Sequence, residues 1–377
     1  MAKIAVNTRL LLEDKMEGIG WFTYETMKRM VIDHPEHEFL FIFDRPYSKK
    51  FIFADNVKAV VLFPPARHPF LYLIYFHWVL PFYLSFKKID LFISPDGIMP
   101  LKLKVPVLNV IHDINFEHRP KDLPFLHRWF YTRYYKRYAE ACDRLVTVSE
   151  YSKQDLVKTY GIDPDKIDVV YNGANEKFTP LEEELQKKVR HRYANGRPYF
   201  VYVGSINPRK NIANLLRAFD AFKKEAGSDM KLVLVGNKMQ DNSEANTVYL
   251  QMIHKQDVLF LGRVSTSDLK DILASAYALT YVPYFEGFGI PILEAMYCDV
   301  PVITSDTTSM PEVAGHAALL VDPHSVKAIT VAMVDLYSNH ERRKELIKKG
   351  KLQRKKFSWD ITADKLWQAV EKTLQQK

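Results

Sequence analysis

Short apolar runs alternate with amphipathic stretches along the first half of the chain. The amphipathic stretch at about residues 20–32 predicts a helix soon after the first run. Apolar runs that alternate with helices indicate a parallel sheet that is covered on both faces. The predicted strands of this half are residues 4–6, 39–43, 57–63, 91–94, 107–111 and 145–148.

The alternation restarts after a charged, irregular stretch at residues 182–196. Residues 199–203 are the first predicted strand of this half, and residues 212–226 follow as a helix. The chain ends in amphipathic helices, of which the last is predicted at about residues 361–374. The other predicted strands are residues 231–235, 258–261, 278–282 and 300–304.

The length of 377 residues exceeds what a single hydrophobic core usually supports. We therefore predict an α/β protein with two Rossmann-like, doubly wound domains and a cleft between them. The N-terminal domain comprises residues 1–173 and the C-terminal domain residues 174–357, and the final helix, about residues 358–377, is expected to pack back on the first domain. Ligands of such sheets bind at the carboxyl ends of the strands, so the chemistry is expected in the cleft.

Composition and charge fit a soluble protein with anionic partners. The chain has 47% hydrophobic and 26% charged residues, which argues against disorder. A net charge of +8 and a pI near 9.1 favour nucleotide phosphates, acidic membrane surfaces or nucleic acid. Cys142 and Cys298 lack metal-ligand spacing and indicate a reducing compartment. Since the N-terminus lacks the apolar core of a signal peptide, we predict a cytoplasmic protein.

Two aromatic segments bear on membrane contact. Residues 70–86 are strongly apolar and precede Lys87 and Lys88, but the segment is short for a membrane span and contains a histidine and a proline. We predict a helix that packs on its own domain, with interfacial membrane contact as the alternative. Residues 125–138 predict an amphipathic helix. Either its aromatic side chains pack inside the protein and its cations face solvent, or the helix binds anionic lipid or nucleic acid.

The segment from Glu286 to Glu294 places two carboxylates eight residues apart around a turn that opens a helix. Pro291 suits the first helical turn and Gly289 lets the backbone approach a ligand, so the helix is predicted to begin near Ile290. Its free N–H groups attract phosphate, whereas the two carboxylates suit the hydroxyls of a sugar or ribose. We interpret the segment as a clamp for a nucleotide sugar. The alternative is a Glu294 that only favours the helix dipole and a solvated Glu286.

Adjacent cations follow the first strand of the second half. Arg209 and Lys210 lie in the loop after Gly204, which ends that strand, and directly before the helix at residues 212–226. Arg209 can contact two phosphate oxygens and Lys210 can add a point charge, so the loop predicts a site for a departing diphosphate. The alternative, two solvated cations, is unfavourable beside the positive end of a helix.

Other strand ends carry less specific signals. His112 follows a predicted strand, where it either contacts a transferred sugar or hydrogen-bonds to a neighbouring carboxylate or carbonyl. Gly18 and Gly20 supply either helix-end amides beside a ligand or a plain turn, because the third glycine of a dinucleotide fingerprint is absent. Val264 either helps to cradle a base through its main chain or belongs to a simple connection.

Asp163 and Asp165 match the Asp-x-Asp pattern with which metal-dependent glycosyltransferases hold a divalent ion. They lie at a helix exit, among residues typical of turns, and a turn is the preferred interpretation. We therefore predict no catalytic metal. A metal-dependent transferase that uses these two residues is kept as an alternative.

Taken together, these pieces make the chain resemble glycosyltransferase family 4, whose members are retaining enzymes of the GT-B fold. The resemblance extends over nearly the whole chain, and its most specific part is the pair of glutamates around Gly-Phe-Gly, downstream of Arg-Lys-Asn. The matching residues are 18–20, 111–113, 146–153, 170–173, 208–211, 286–294, 309–313 and 357–359.

The resemblance implies a role for each of these residues. Glu286 contacts hydroxyls of the donor sugar and Glu294 contacts the ribose, while the main-chain amides of Phe288, Gly289 and Ile290 line the sugar and the phosphate. From the first domain, His112 sits beside the anomeric carbon, and the turn from Gly18 to Gly20 closes over the donor.

The diphosphate is assigned to Arg209 and Lys210, which together with His112 and Glu286 are the predicted catalytic residues. Many members carry arginine directly after the strand-end glycine, where this chain has Ser205. We infer that Arg209 substitutes for that cation, and the division of labour with Lys210 stays open.

The implied reaction is transfer with retention, in which the leaving diphosphate accepts the proton of the acceptor. The predicted donor is GDP-mannose, with UDP-glucose or UDP-N-acetylglucosamine as alternatives, and the predicted acceptor is a glycan or glycolipid of a surface polysaccharide. Neither a cofactor nor a nucleic-acid partner is expected, and the protein is placed in the cytoplasm, with peripheral contact to the inner face of an anionic membrane left open. A non-catalytic protein that binds anionic lipid or nucleic acid is the alternative from another class.

Overall fold

The chain divides into two units, Met1–Gly173 with Trp359–Lys377, and Ala174–Ser358. The computed structural model describes residues 1–13, 16–175, 177–237, 241 and 243–375, and the statements below concern these residues. Each unit is built on one parallel sheet with helices between the strands, which is the layout that the alternating pattern predicts.

Within its described residues, the first unit has a seven-stranded sheet in the order β3-β2-β1-β4-β5-β6-β7. The strand order reverses between β1 and β4, so their carboxyl ends flank the switch point where ligands bind in such sheets. The strands are β1 (Lys3–Asn7), β2 (Glu38–Phe43), β3 (Val57–Val61), β4 (Leu91–Ser94), β5 (Val107–Val110), β6 (Arg144–Thr147) and β7 (Ile167–Val169), and the helices between them are α1 (Gly18–Asp33), α2 (Pro69–Ile74), α3 (Leu80–Ser85), α4 (Asn115–His118), α5 (Phe125–Ala141) and α6 (Glu150–Tyr160).

The second unit has a six-stranded sheet in the order β10-β9-β8-β11-β12-β13 within its described residues. Here the order reverses between β8 and β11, so the loops after these two strands meet at the switch point. The strands are β8 (Tyr199–Val203), β9 (Lys231–Val235), β10 (Val258–Gly262), β11 (Ala278–Tyr281), β12 (Val302–Ser305) and β13 (Ala318–Val321), and the helices are α7 (Glu183–Ala194), α8 (Ile212–Ala226), α9 (Glu244–Gln251), α10 (Thr266–Ala274), α11 (Ile290–Tyr297), α12 (Met310–Ala314), α13 (Val326–Ser338) and α14 (His340–Gln353).

The last helix, α15 (Trp359–Gln375), belongs to the first unit. The hydroxyl of Thr362 donates to the carbonyl of Tyr171 at 2.7 Å. The ring of Trp367 stacks on His34 with 3.6 Å between ring centroids. These contacts hold the end of the chain against α1 and the segment after β7.

Two expectations about local structure are wrong. The stretch at residues 182–196, expected to be irregular, contains α7, whose charged side chains pair along the helix, as Lys187 does with Glu184 at 2.8 Å. Tyr193 of this helix donates to Asp268 of α10 at 2.7 Å, which fixes its inner face. Strand β13 was not predicted, because it is a short edge strand whose residues are largely half-buried or exposed.

The aromatic segment at residues 70–86 is a helix, as expected, but it changes geometry midway. It runs through α2, a π-helical turn at Tyr75–Val79, and α3. Pro81 has no N–H to donate to the carbonyl four residues before it, and a π turn just ahead of a proline accommodates that loss. In the part of the chain that the structure describes, every helix is too short or too polar to cross a bilayer.

Candidate active site

Two cations and one carboxylate meet at the switch point of the second sheet. Arg209 and Lys210 belong to a 3₁₀ turn in the loop after β8, and Glu286 lies in the loop after β11. Because β8 and β11 are neighbours in the sheet, the two loops leave it side by side. The fold thus joins Lys210 to a residue 76 positions further along the chain.

Glu286 accepts hydrogen bonds from both cations. Its Oε1 accepts from Nη1 of Arg209 and from Nζ of Lys210. Arg209 Nη1 also donates to the carbonyl of Phe285 at 3.1 Å, and Lys210 Nζ donates to the hydroxyl of Tyr281 at 2.6 Å. The side chains of Lys210 and Glu286 are only 8% and 12% exposed, so the ion pairs are largely shielded from water.

The charges of this cluster do not cancel. Burial would raise the pKa of Glu286, but Arg209 and Lys210 hold that pKa below its ordinary value, so the carboxylate is ionised at neutral pH. Among these three side chains, the cations outnumber the carboxylate. The cluster therefore still attracts an anion such as a phosphate.

Asn211 holds the turn that presents the cations. Its φ of 60° lies in the left-handed region, which asparagine adopts more readily than most residues. Its Nδ2 donates to the carbonyls of Val282 at 2.9 Å and Pro323 at 2.7 Å. The N–H of Tyr284 donates in turn to the carbonyl of Arg209 at 2.9 Å. The loops after β8 and β11 are thus tied together through their main chains.

The loop that carries Glu286 leads directly into α11, which begins at the predicted residue. Gly289 has a φ of 99°, which strains any residue with a Cβ, and a Cβ added there would lie 2.7 Å from the terminal Cε of Met310, so that flexible side chain would have to shift as well. The buried hydroxyl of Ser309 donates to the carbonyls of Glu286 at 2.8 Å and Phe288 at 3.3 Å. This bracing fixes the approach to the helix N-terminus, where free N–H groups favour an anion.

Glu294 has a different environment from Glu286. It lies on the second turn of α11, and its carboxylate has no hydrogen-bond or ion-pair partner among the described residues. Burial raises the pKa of Glu294 to about 7. A half-buried acid without an internal partner suits hydrogen bonding to an incoming hydroxyl.

Gly204 and Val264 lie at the ends of β8 and β10, which are separated by β9. Gly204 follows β8 with a φ of 145°, and its N–H donates to Val235 at 2.9 Å. Gly236, which follows β9 and was not singled out from the sequence, approaches still more closely: a Cβ there would lie 1.8 Å from the carbonyl oxygen of Gly204. Val264 is half-buried in the loop after the edge strand.

His112 follows β5 in the first unit. Its Nε2 lies 2.9 Å from the carbonyl of Pro95, and its ring packs edge-on against Phe22 at 4.9 Å. Burial lowers the pKa of His112, so the ring is neutral at pH 7. A carbonyl can only accept, which assigns the proton to Nε2 and leaves Nδ1 as an acceptor. The carboxylate of Asp113 is occupied by Asn115, whose N–H donates at 3.0 Å, and is not the partner of the histidine.

The two N-terminal glycines are not equivalent. Gly18 begins α1, is exposed, and has open space where a Cβ would stand. Gly20 is buried, and a Cβ there would lie 2.8 Å from the carbonyl oxygen of Leu10. Gly20 is therefore required for a close main-chain approach, whereas Gly18 only has its helix-end position to offer a ligand.

Asp163 serves as the cap of a short turn. Its Oδ1 accepts from the N–H of Asp165 at 2.9 Å, and both residues are exposed. No group of three histidine, cysteine, aspartate or glutamate side chains among the described residues is arranged to hold a metal ion. The turn interpretation of Asp163 fits this geometry, and independence from metal stays a prediction.

Family models match both units of the chain. Residues 17–178 match the model described as Glycosyltransferase Family 4, and residues 183–353 match the model described as Glycosyl transferases group 1. Together the two matches span most of the length of the chain.

Among curated proteins, the chain is 30% identical over 276 residues to O-antigen chain mannosyltransferase B of Escherichia coli, with 71% of this chain and 70% of the relative covered. It is also 30% identical over 261 residues to the O-antigen chain mannosyltransferase RfbU of Salmonella typhimurium, with 69% of each chain covered. The fold is similar to that of WaaG, a glycosyltransferase involved in lipopolysaccharide biosynthesis, with a TM-score of 0.74 at 15% identity over 97% of this chain and 98% of that chain.

The two parallel-sheet Rossmann-like units, the paired family models and the relatives at 30% identity lead to one assignment. The expectation of a GT-B fold is confirmed. The chain is a glycosyltransferase and belongs to glycosyltransferase family 4.

Proposed function

We propose that this enzyme transfers mannose from GDP-mannose to a glycan or glycolipid acceptor of a surface polysaccharide. The sugar is suggested by the two O-antigen mannosyltransferases to which the chain is similar. The observation that carries the donor class is the cluster of Arg209, Lys210 and Glu286, because it combines cations for a diphosphate with a carboxylate for sugar hydroxyls. UDP-glucose and UDP-N-acetylglucosamine suit the same residues and are the alternative donors.

In the proposed binding step, the donor diphosphate replaces Glu286 as the counter-ion of the two cations. Arg209 and Lys210 are paired with this carboxylate in the free protein. A diphosphate carries more negative charge than a carboxylate and competes for both cations. The displaced Glu286 is then available to accept hydrogen bonds from the sugar that the diphosphate carries. Binding of the phosphates would thus release the group that recognises the sugar.

In the proposed transfer step, the acceptor oxygen forms a bond to the anomeric carbon on the face from which the diphosphate departs. The bond between that carbon and the phosphate oxygen breaks, and the proton of the acceptor hydroxyl passes to the leaving diphosphate. Arg209, Lys210 and the first N–H groups of α11 stabilise the charge that develops on the leaving group. The protein supplies orientation and electrostatic stabilisation, and no side chain acts as a nucleophile.

The remaining assignments concern the sugar and the ribose. His112 is proposed to lie beside the anomeric carbon, where the unprotonated Nδ1 accepts a hydrogen bond from a sugar hydroxyl. Glu294 is proposed to accept from the ribose hydroxyls. The main-chain groups of Phe288 to Ile290 are assigned to the sugar and phosphate, and those of Gly204, Val264 and the turn at residues 18–20 to the rest of the donor.

The enzyme is further proposed to work without a metal ion, because the two cations Arg209 and Lys210 can stabilise the charge of the diphosphate. We place it in the cytoplasm, in peripheral contact with an anionic membrane. An acceptor linked to a lipid would be presented at such a surface.

The test is a thermal-shift screen across GDP, UDP, GDP-mannose, UDP-glucose and UDP-N-acetylglucosamine together with hydrolysis of the three sugar donors, each with and without a chelator. We expect GDP and GDP-mannose to raise Tm most and hydrolysis to survive chelation. A larger shift with UDP would transfer the proposal to a UDP-sugar, and loss of activity with chelator would overturn metal independence. No shift with either nucleoside diphosphate would contradict the assignment of the site.

A further inference from the structure

Helix α3 and the segment before it expose a row of large aromatic side chains. Phe70, Trp78, Phe82 and Phe86 are 65%, 75%, 69% and 72% exposed. The last three are four residues apart, so they lie along one face of the helix. Single exposed apolar residues are common on proteins, but a row of four aromatic rings on one segment marks an interaction surface.

The inner face of the same segment is fully packed, so the exposed rings are not a poorly folded core. Tyr75, Phe76 and Leu80 have no measurable exposure, and Tyr72 is buried against Phe130 of α5 with 5.1 Å between ring centroids. Residues 70–86 therefore contain more aromatic side chains than the core of the first unit buries. The segment thus packs on its own domain, as predicted, but it has apolar side chains on its outer face as well.

Helix α5 extends this surface. It packs beside the aromatic segment, where Nε2 of His77 lies 3.2 Å from the hydroxyl of Tyr138. At its N-terminal end, Phe125, Leu126 and Trp129 are exposed. The ring of Trp129 contacts Tyr134, which in turn contacts His77, next to Trp78 in the sequence. We call the exposed apolar residues of the two helices the aromatic surface: Phe70, Trp78, Phe82, Phe86, Phe125, Leu126 and Trp129.

The segments that carry the aromatic surface, residues 70–88 and 125–138, contain lysine and arginine but no carboxylate. No aspartate or glutamate occurs between Asp55 and Asp90, or between Asp122 and Glu140, although the protein has 45 acidic residues. Cations are present in both stretches. The exposed ones are Lys58, Arg67, Lys87, Lys88, Arg133, Lys136 and Arg137; Lys58 pairs with Glu38, and Lys136 pairs with Glu140 at 3.8 Å.

We propose that the aromatic surface binds an anionic lipid bilayer, with its rings in the interface and its cations against the lipid headgroups. Exposed aromatic rings next to lysine and arginine, without carboxylates, are complementary to a surface that is apolar below and negatively charged above. The helices lie on the bilayer and do not cross it. The purpose of this contact rests on the proposed function, because a lipid-linked acceptor would be encountered at the bilayer. The aromatic surface itself is defined only by the exposure and charge of its residues.

The experiment is co-sedimentation of the whole protein with vesicles of phosphatidylcholine alone or mixed with phosphatidylglycerol. We expect binding to the anionic vesicles that weakens at high salt, because the Debye length falls from about 10 Å at 0.1 M to about 3 Å at 1 M. Trp78→Ser/Phe82→Ser should weaken binding at least about tenfold. Lys87→Gln/Lys88→Gln should weaken it by about fivefold per cation. The matched control is Leu250→Ser/Ile253→Ser, which removes exposed apolar residues from the second unit and should change nothing.

A second readout reports on insertion itself. Of the five tryptophans, Trp78 and Trp129 are exposed, Trp21 on α1 is half-buried, and Trp359 and Trp367 are buried, so a blue shift of tryptophan fluorescence on vesicle binding should come mainly from the first two. Trp78→Phe/Trp129→Phe should keep vesicle binding and lose the shift.

Equal binding to both kinds of vesicle, no binding, or unchanged binding by Trp78→Ser/Phe82→Ser would overturn the proposal. If the wild type is a dimer and Trp78→Ser/Phe82→Ser is a monomer, the aromatic surface binds a second copy of the chain instead of a bilayer. The thermal shift with GDP is measured on the same variants, and it should equal that of the wild type. Loss of vesicle binding with an intact GDP shift is therefore distinguishable from failure of the donor site.

Discussion

Replacing Glu286 with glutamine should change nucleoside-diphosphate binding and sugar transfer in opposite directions. The carboxylate is the shared counter-ion of Arg209 and Lys210 in the free protein. Glutamine keeps the shape of the side chain and one acceptor oxygen, but it removes the charge that a phosphate must displace. The variant thus separates two effects of Glu286: the free energy needed to displace its carboxylate when a phosphate binds, and the contribution of that carboxylate to binding the sugar.

The magnitudes follow from the burial of this cluster. Removing one partner of a buried ion pair costs about 3–5 kcal/mol, and glutamine should lie at the lower end because it still hydrogen-bonds. In a unit the size of Ala174–Ser358, each kcal/mol lowers Tm by about 2–4 °C, so the ligand-free variant should melt about 6–12 °C lower. GDP should bind at least about tenfold more tightly, which corresponds to about 1.4 kcal/mol. Hydrogen bonds to a charged group contribute about 1.5–3 kcal/mol, so kcat/KM should fall by about 10- to 150-fold.

The assays are calorimetric titration with GDP, thermal unfolding without ligand, and steady-state transfer or donor hydrolysis. Glu244→Gln is the matched control, because Glu244 pairs with Arg217 at 2.8 Å on the exposed surface of the same unit. That substitution should leave all three quantities unchanged, as exposed ion pairs contribute little. Weaker or unchanged GDP binding by Glu286→Gln would refute the idea that the carboxylate occupies the diphosphate's place.

Three further substitutions test other parts of the account. Gly289→Ala should lower the free energy of unfolding by about 1–3 kcal/mol in chemical denaturation, because alanine is strained at this φ and meets Met310; an unchanged midpoint would contradict the geometry. Burial raises the pKa of Glu294 to about 7 in the native protein. Because the native carboxyl binds its proton more tightly than the unfolded one, the wild type loses stability as pH rises from about 4.5 to about 7. Glu294→Gln should therefore be more stable than the wild type above pH 7, by up to about 3 kcal/mol, and equal to it near pH 4.5; parallel stability curves would show that burial does not shift the pKa. His112→Ala should reduce kcat by at least about tenfold with little effect on GDP affinity, and an equal loss of both would place the histidine at the nucleotide instead.

Most of the strands and the start of α11 were predictable because their signals are local. Buried strands appear as apolar runs, and Gly289 with Pro291 two residues later indicates where α11 begins. Helix α7 was missed because its polar surface is stabilised by ion pairs such as Lys187 with Glu184, which resemble a solvated loop in the sequence. Strand β13 was missed because an edge strand does not need a continuous apolar run.

The individual charges of the candidate site were predictable, but their pairing was not. Arg209 and Lys210 were assigned to a phosphate and Glu286 to hydroxyls, and only the fold shows that the three are bound to each other in the free protein. Asn211 and Ser309 were noted as parts of matching segments without a role. Both act through hydrogen bonds to carbonyls of distant loops, and such contacts have no local sequence signal.

The central claim is that the loop after β8 binds the diphosphate of a nucleotide sugar, and calorimetric titration of GDP into the wild type and Lys210→Ala tests it most directly. A charge-assisted hydrogen bond contributes about 1.5–3 kcal/mol, so we expect measurable binding to the wild type and a loss of about 10- to 150-fold in the variant. Equal affinities of the wild type and Lys210→Ala for GDP would contradict the claim.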